Sequence, residues 1–147
     1  MDHRHYATGE ELVTSPSDAD LIKRAREAQQ RAYAPYSQFK VGAALLSQDG
    51  KVYTGCNVEN STLGATNCAE RTAVFKAVCD GSQHFSKIVV VTDSDEPVMP
   101  CGICRNVLFE FAPDLEIIAV SASGRSERTK LSSLFPKGFR LEERPEC

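Results

Sequence analysis

The chain has 147 residues, 41% apolar and 25% charged, which fits one compact globular domain. Its longest apolar runs, "IVVV" at 88–91 and "IIAV" at 117–120, are strand-sized and leave no membrane span. A net charge of -3, with no block of Lys and Arg, disfavours a nucleic acid polymer as partner.

The first stretch, "MDHRHYATGEELVTSPSD", is polar and lacks the apolar region of a signal peptide, so a cytoplasmic location is expected. Residues 1–14 read as a flexible N-terminal extension in which His3 and His5 are solvated, and residues 15–147 as a single domain. "SPSDADLIKRAREAQQRAY" opens with Ser15, Pro16 and Ser17, good capping chemistry. Leu21, Ile22, Ala25, Ala28 and Ala32 then recur at helical spacing, which predicts a first helix ending before Pro35. "FKVGAALLS" and "KVYTGCNVE" flank Asp49-Gly50 and predict an antiparallel hairpin. "TNCAERTAVFKAV" predicts a second helix running to about Cys79 and stopped by Gly81. "KIVVVTD" reads as a buried strand, and "CRNVLFEFA", after "PCGI", as a third helix. "LEIIAVSA" is a fourth strand, and "SERTKLSSL" can hold a short edge strand. The order α-β-β-α-β-α-β-β predicts an α/β fold, a mixed sheet with helices packed on its faces.

Six cysteines are present: Cys56, Cys68, Cys79, Cys101, Cys104 and Cys147. In a reducing compartment such clusters signal metal or redox chemistry more often than disulfides. "PCGIC" places Cys101 and Cys104 after a strand and at a helix start, a spacing shared by redox sites, structural zinc and catalytic zinc. Cys79 is eleven residues beyond Cys68 on one helix, roughly 16 Å away, so one ion cannot bind both. Cys147 is terminal, and Cys56 reads as a structural strand residue beside Gly55. That leaves Cys68, Cys101 and Cys104, and three protein ligands with one open position is the arrangement of catalytic zinc.

Glu70 sits two residues after Cys68, where a helix N-terminus can hold a thiolate and a carboxylate ionised. Asn67 and Glu70 also have capping-box spacing, a purely structural alternative. Beside zinc-activated water, however, Glu70 can accept the water's proton. Zinc deaminases pair such motifs, a Cys or His two residues before Glu and a P-C-x-x-C, with the Glu not a ligand. Here these are "CAE" at 68–70 and "PCGIC" at 100–104.

With "YAPYSQFKVGAALL", "GCNVENSTLG", "CAERTAVFKAV", "PCGICRNVLFEF" and "LFPKGF" in this order, the chain from Ser17 to Phe139 resembles the cytidine deaminase family, in its three-cysteine, single-domain, homotetrameric type. The resemblance implies a three-layer α-β-α fold with a mixed five-stranded sheet. It implies hydrolysis of cytidine and deoxycytidine, Zn2+ as cofactor, and a free nucleoside as substrate. Glu70 would shuttle protons, and Asn57 and Glu59 would hold the ribose 3′-hydroxyl. Phe39 would pack on the pyrimidine, backbone near Ala69 would fix the base, and Phe139 would close a neighbouring subunit's pocket. Asn57 and Glu59, two apart at a strand end, also share a face on pattern alone. Three thiolates leave zinc with net negative charge, which two converging helix N-termini offset in part. Arg71 and Arg105 follow the ligand-bearing turns and are expected to donate to sulfur, or else to be surface helix residues.

The chain departs from that family at Leu63, where a Tyr lining a neighbour's pocket is usual, and at Asn106, usually Gln. Leu63 opens the alternative of a modified cytosine nucleoside as substrate, of blasticidin or N4-substituted type. Two readings outside deamination also stand. A thiol–disulfide oxidoreductase would use Cys101 and Cys104 as its redox pair, and a zinc-binding interaction module would need a fourth ligand.

Overall fold

The computed structural model describes residues 14–141. The expected extension, apart from Thr14, lies outside the described residues, as do His3, His5 and Cys147.

Helix α1 (Asp18–Gln29) begins at Ser17, whose hydroxyl accepts from the Asp20 backbone N–H while the Asp20 carboxylate accepts from the Ser17 N–H, closing a capping box. Five strands follow in one sheet: β1 (Val41–Ser47), β2 (Val52–Cys56), β3 (Phe85–Thr92), β4 (Glu116–Val120) and β5 (Ser126–Lys130). Their spatial order is β2-β1-β3-β4-β5, with β3 and β4 parallel and the other pairs antiparallel. Helix α2 (Ala69–Cys79) enters between β2 and β3, and α3 (Gly102–Phe111) makes the crossover that a parallel pair requires.

Alternation along the strands builds two cores. Ala43, Leu45, Ile88, Val90 and Ile117 face α2 and α3 through Ala69, Ala73, Val74 and Leu108. Their neighbours Ala44, Leu46, Val89, Val91, Ile118 and Val120 face α1 through Leu21 and Ala25. Each fully buried aliphatic side chain contributes about 1.5–3 kcal/mol. The expected three layers, with helices on both faces of a mixed five-stranded sheet, are therefore present.

Two glycines set the layer spacing. A Cβ on Gly42 would stand 2.0 Å from the Ala25 carbonyl oxygen, and one on Gly55 would stand 2.3 Å from that of Ala69. At Gly55 the strand meets the first residue of α2, so this contact fixes where the helix begins.

Several boundaries differ from the sequence pattern. Residues 39–40 and 57–59 fall outside the strands, because side chains rather than a ladder take up the backbone groups of 39 and 40. Val58 makes only single bridges, to Tyr33 and Asn67. Helix α1 stops at Gln29, short of the predicted end before Pro35. The edge element divides into β5 and a short α4 (Leu131–Leu134), and a 3-10 turn forms at Leu63–Ala65.

Candidate metal centre and cavity

Helices α2 and α3 aim their N-termini at one point. Cys68 is the N-cap of α2, Cys101 is the N-cap of α3, and Cys104 lies in the first turn of α3. The three Sγ atoms all lie within 4.8 Å of one another, and those of Cys68 and Cys101 are 3.8 Å apart. Tetrahedral zinc with Zn–S bonds of about 2.3 Å requires sulfurs about 3.8 Å apart, so the donor set fits that ion. Among the described residues no fourth His, Cys, Asp or Glu joins the three. Cys56 and Cys79 stay apart from them, Cys79 as the helical spacing requires.

Charge is distributed unevenly over the thiols. The neighbouring Cys104 thiol, and then the Arg71 guanidinium, lower the Cys68 thiol to about 5, against the opposing effect of burial. Cys104 moves the other way, held protonated by its hydrogen bond with Cys68 and by burial. Arg71 Nη2 donates to Cys68 Sγ at 3.4 Å and to the Thr66 carbonyl at 3.3 Å, the expected contact with sulfur. Arg105 corrects its expectation. Its Nε donates to the Pro100 carbonyl at 2.7 Å and its Nη1 to the Leu134 carbonyl at 3.1 Å. It ties the loop before Cys101 to the end of α4 instead of reaching a thiolate.

Glu70, 5% exposed, stands in the first turn of α2. Burial pushes its carboxyl up to about 7, and the Cys68 charge adds to this, while its own backbone N–H pulls down. The helix terminus alone therefore does not keep Glu70 fully ionised. The capping-box alternative does not form: the N-cap is Cys68, and Asn67 Nδ2 donates to Thr72 Oγ1 at 3.0 Å.

Cys68, Cys101 and Glu70 open into a cavity of about 220 Å³. Phe39, Asn57, Glu59 and Ala69, the substrate-contact candidates of the sequence, line it too. Asn57 and Glu59 are 7% and 9% exposed, with Val58 between them at 45%, so the shared face is real. Both already hold the cavity rim. Asn57 Oδ1 accepts from the Val41 N–H and its Nδ2 donates to the Phe39 carbonyl, each at 2.8 Å. Glu59 accepts from the Ser37 hydroxyl and from the N–H groups of Tyr36 and Ser37; the hydroxyl contact foremost keeps its carboxyl below the ordinary range. An amide has two N–H groups and two lone pairs, so Asn57 retains one of each for a ligand.

Leu63 and Phe139 are not brought to the cavity of their own chain; they are 70% and 76% exposed. Ser37, Val41, Thr92, Val98 and Met99, which also line it, carry no sequence signal of their own. Ser37 sits inside the quoted "YAPYSQF", but a loop serine has no periodicity to betray it.

Residues 15–120 match a family model described as the cytidine and deoxycytidylate deaminase zinc-binding region. A cytidine deaminase of Sporosarcina psychrophila is 48% identical over 124 residues, 84% of this chain and 91% of that protein. The crystal structure of a cytidine deaminase from Burkholderia pseudomallei has a TM-score of 0.82 at 46% identity, covering 84% of this chain and 100% of that one. A blasticidin-S deaminase of Bacillus cereus is 31% identical over 130 residues, 83% of this chain and 91% of that protein.

Proposed function

The chain belongs to the cytidine and deoxycytidylate deaminase family, and on that premise we propose that it hydrolyses cytidine and deoxycytidine to the uridine counterparts with release of ammonia. The observation that carries this reading is a buried carboxyl beside a three-thiol cluster, two of whose thiols open with it into one cavity. Cys68, Cys101 and Cys104 would hold zinc, which supplies an acidified water for attack on ring carbon C4. Glu70 does the proton work: a carboxylate oxygen accepts one proton of the water and passes it to ring nitrogen N3, then takes the second from the oxygen now bonded to C4 and gives it to the departing amine. Its placement in an apolar, buried position suits a group that must both take and give a proton near neutrality. Arg71 holds Cys68 and draws charge from its sulfur. The Phe39 ring packs on the base, backbone at Ala69 fixes its polar edge, and Asn57 and Glu59 meet the sugar hydroxyl.

The family description spans nucleosides and nucleotides, and the cavity favours the nucleoside. Among the described residues no Lys or Arg lines it, while Glu59 does. A phosphate there would meet a negative charge and no cation. Leu63 and Phe139, apolar and exposed, suit the role of walls in a neighbouring copy's cavity, so a homotetramer with shared sites belongs to the same reading. So do a single domain over residues 15–147 and a cytoplasmic setting, where thiols stay reduced. A pyrimidine salvage role follows from the products.

A broader substrate range is the second reading: Leu63 stands where the family resemblance implies a Tyr, and a branched aliphatic chain there would leave room for substituents on the amine. A thiol–disulfide role for Cys101 and Cys104 leaves Cys68 and Glu70 beside them without a use. A substrate panel decides among these. Cytidine, deoxycytidine, cytosine, dCMP and N4-substituted cytidines are incubated with zinc-loaded protein, and loss of the cytosine absorbance is followed. Turnover of the first two with dCMP inert is the expected pattern. Turnover confined to substituted cytidines would favour the second reading, and none at all would refute deamination.

A further inference from the structure

The ring of Phe39 faces the cavity from a stretch of backbone that no strand supports. Its polar groups are held by side chains instead. The Phe39 N–H donates to Ser37 Oγ at 3.0 Å and its carbonyl accepts from Asn57 Nδ2 at 2.8 Å. The Lys40 N–H donates to Asp93 Oδ2 at 3.2 Å, and its carbonyl accepts from Gln29 Nε2 at 2.9 Å. Gln29 Nε2 also donates to Asp93 Oδ1 at 2.9 Å, which closes a ring of contacts around Lys40.

Gln29 is 2% exposed, at the last turn of α1, on the sheet face opposite α2 and α3. Arg26, one turn earlier, fixes it by donating to Gln29 Oε1 and to the Thr92 carbonyl. A buried amide with this many partners is held in one orientation. The residue before the ring, Gln38, has a φ of 56°, the left-handed region that a non-glycine residue occupies only when its surroundings over-determine it. Neither Gln29 nor Asp93 lines the cavity.

We infer that Gln29 and Asp93 are positioning residues for the base-facing rim, fixing the Phe39 ring through the Lys40 backbone from the far side of the sheet. The inference rests on the deaminase reading for the identity of the ligand, but the clamp itself does not. Loosening it lets the ring leave the base without moving the thiols or Glu70, so substrate affinity falls while chemistry persists.

The test uses the zinc-loaded enzyme. Asp93→Ala removes both acceptors at an exposed position where folding is safe. Gln29→Met keeps side-chain length and removes the donor. Asp93→Asn keeps one acceptor for Lys40. Each disruptive variant is expected to raise KM for cytidine about fivefold, the scale of one hydrogen bond. kcat should stay within about twofold, the signature of lost uniform binding. The Asn variant recovers most of the loss, and the Gln29→Met/Asp93→Ala double variant is no worse than its singles, since the pair acts as one unit. Amide exchange at Lys40, read by NMR, accelerates in both singles while β3 stays protected. Unchanged KM and Lys40 exchange in folded Asp93→Ala would overturn the inference, as would kcat and zinc content falling together. If the wild type turns over no cytidine while Lys40 exchange still responds, the clamp stands and the deaminase reading fails.

Discussion

At the thiol end of the cavity, Cys68, Cys101 and Cys104 ride on the first turns of two regular helices, and Gly55 lets the backbone of α2 lie against β2. Across the cavity, Phe39 sits on irregular chain held by Ser37, Asn57, Gln29 and Asp93. One wall is positioned by backbone packing, the other by side-chain hydrogen bonds. The difference matches what each must do. A metal tolerates little displacement of its ligands, so rigid elements suit it. A rim that admits a nucleoside can be built from contacts worth about a kilocalorie each.

If that contrast holds, damage at the two ends should separate. The largest effect is expected at the cluster itself: Cys104→Ser, at a fully buried ligand, should abolish both zinc retention and turnover, read by metal analysis and cytidine absorbance. Next comes Gly55→Ala. Its new methyl would press on Ala69 and Ala73, costing about 1–3 kcal/mol of stability as overpacking does. It should lower the melting temperature and loosen zinc together, because both depend on where α2 starts. A rim change should do neither. Phe39→Leu should raise KM for cytidine about threefold to tenfold, the worth of an aromatic contact, with zinc content and kcat kept.

Effects that depend on a second copy should be smaller still. Leu63→Tyr is expected to lower KM for cytidine up to about threefold and reduce turnover of N4-substituted analogues, if the restored ring reaches a neighbour's cavity. Phe139→Ala should weaken substrate binding while zinc stays. It is a cleaner probe than removing everything after Leu134, because Phe135 packs edge-on against Phe109 of α3, with ring centroids 5.4 Å apart.

The smallest effect lies at the distant surface cluster of Asp18, Lys87, Glu116 and Arg128. The Lys87 hydrogen bond, followed by that from Arg128, holds the Asp18 carboxyl below its ordinary 3.8. A depressed folded-state value stabilises the fold above the unfolded value and is lost as pH falls through the folded one. Asp18→Asn should therefore lower the melting temperature slightly at pH 7 and make no difference well below pH 3.8. High salt should shrink the gap.

The same contrast explains what could be read in the sequence. Cys68, Glu70, Cys101 and Cys104 were legible because zinc chemistry dictates residue types at short spacings, and both motifs, "CAE" and "PCGIC", fall on helix starts that the pattern marks. A mixed sheet with helices on its faces was legible from the element order and from the unbroken apolar runs of β1, β3 and β4, which are buried on both faces. The three layers came only with the family resemblance. The rim was not legible. Gln29 and Asp93 are 64 positions apart, and nothing local in either marks a partner. Arg105 was unreadable for a similar reason: position beside a ligand suggested sulfur, whereas its guanidinium donates to the carbonyls of Pro100 and of Leu134, the latter 29 residues on. Asn57 and Glu59 were placed on the right face, yet their bonds to the 36–41 segment depend on a loop path that periodicity does not encode.

The central claim is that the three thiols and Glu70 form one catalytic unit in which the carboxyl moves protons and holds no metal. It is tested most directly by measuring zinc content and cytidine turnover in parallel for the wild type and Glu70→Gln. The variant should keep its zinc and lose at least about 10²-fold in kcat, the usual worth of a general acid–base group. Near-normal turnover in zinc-loaded Glu70→Gln, or loss of zinc along with activity, would contradict it.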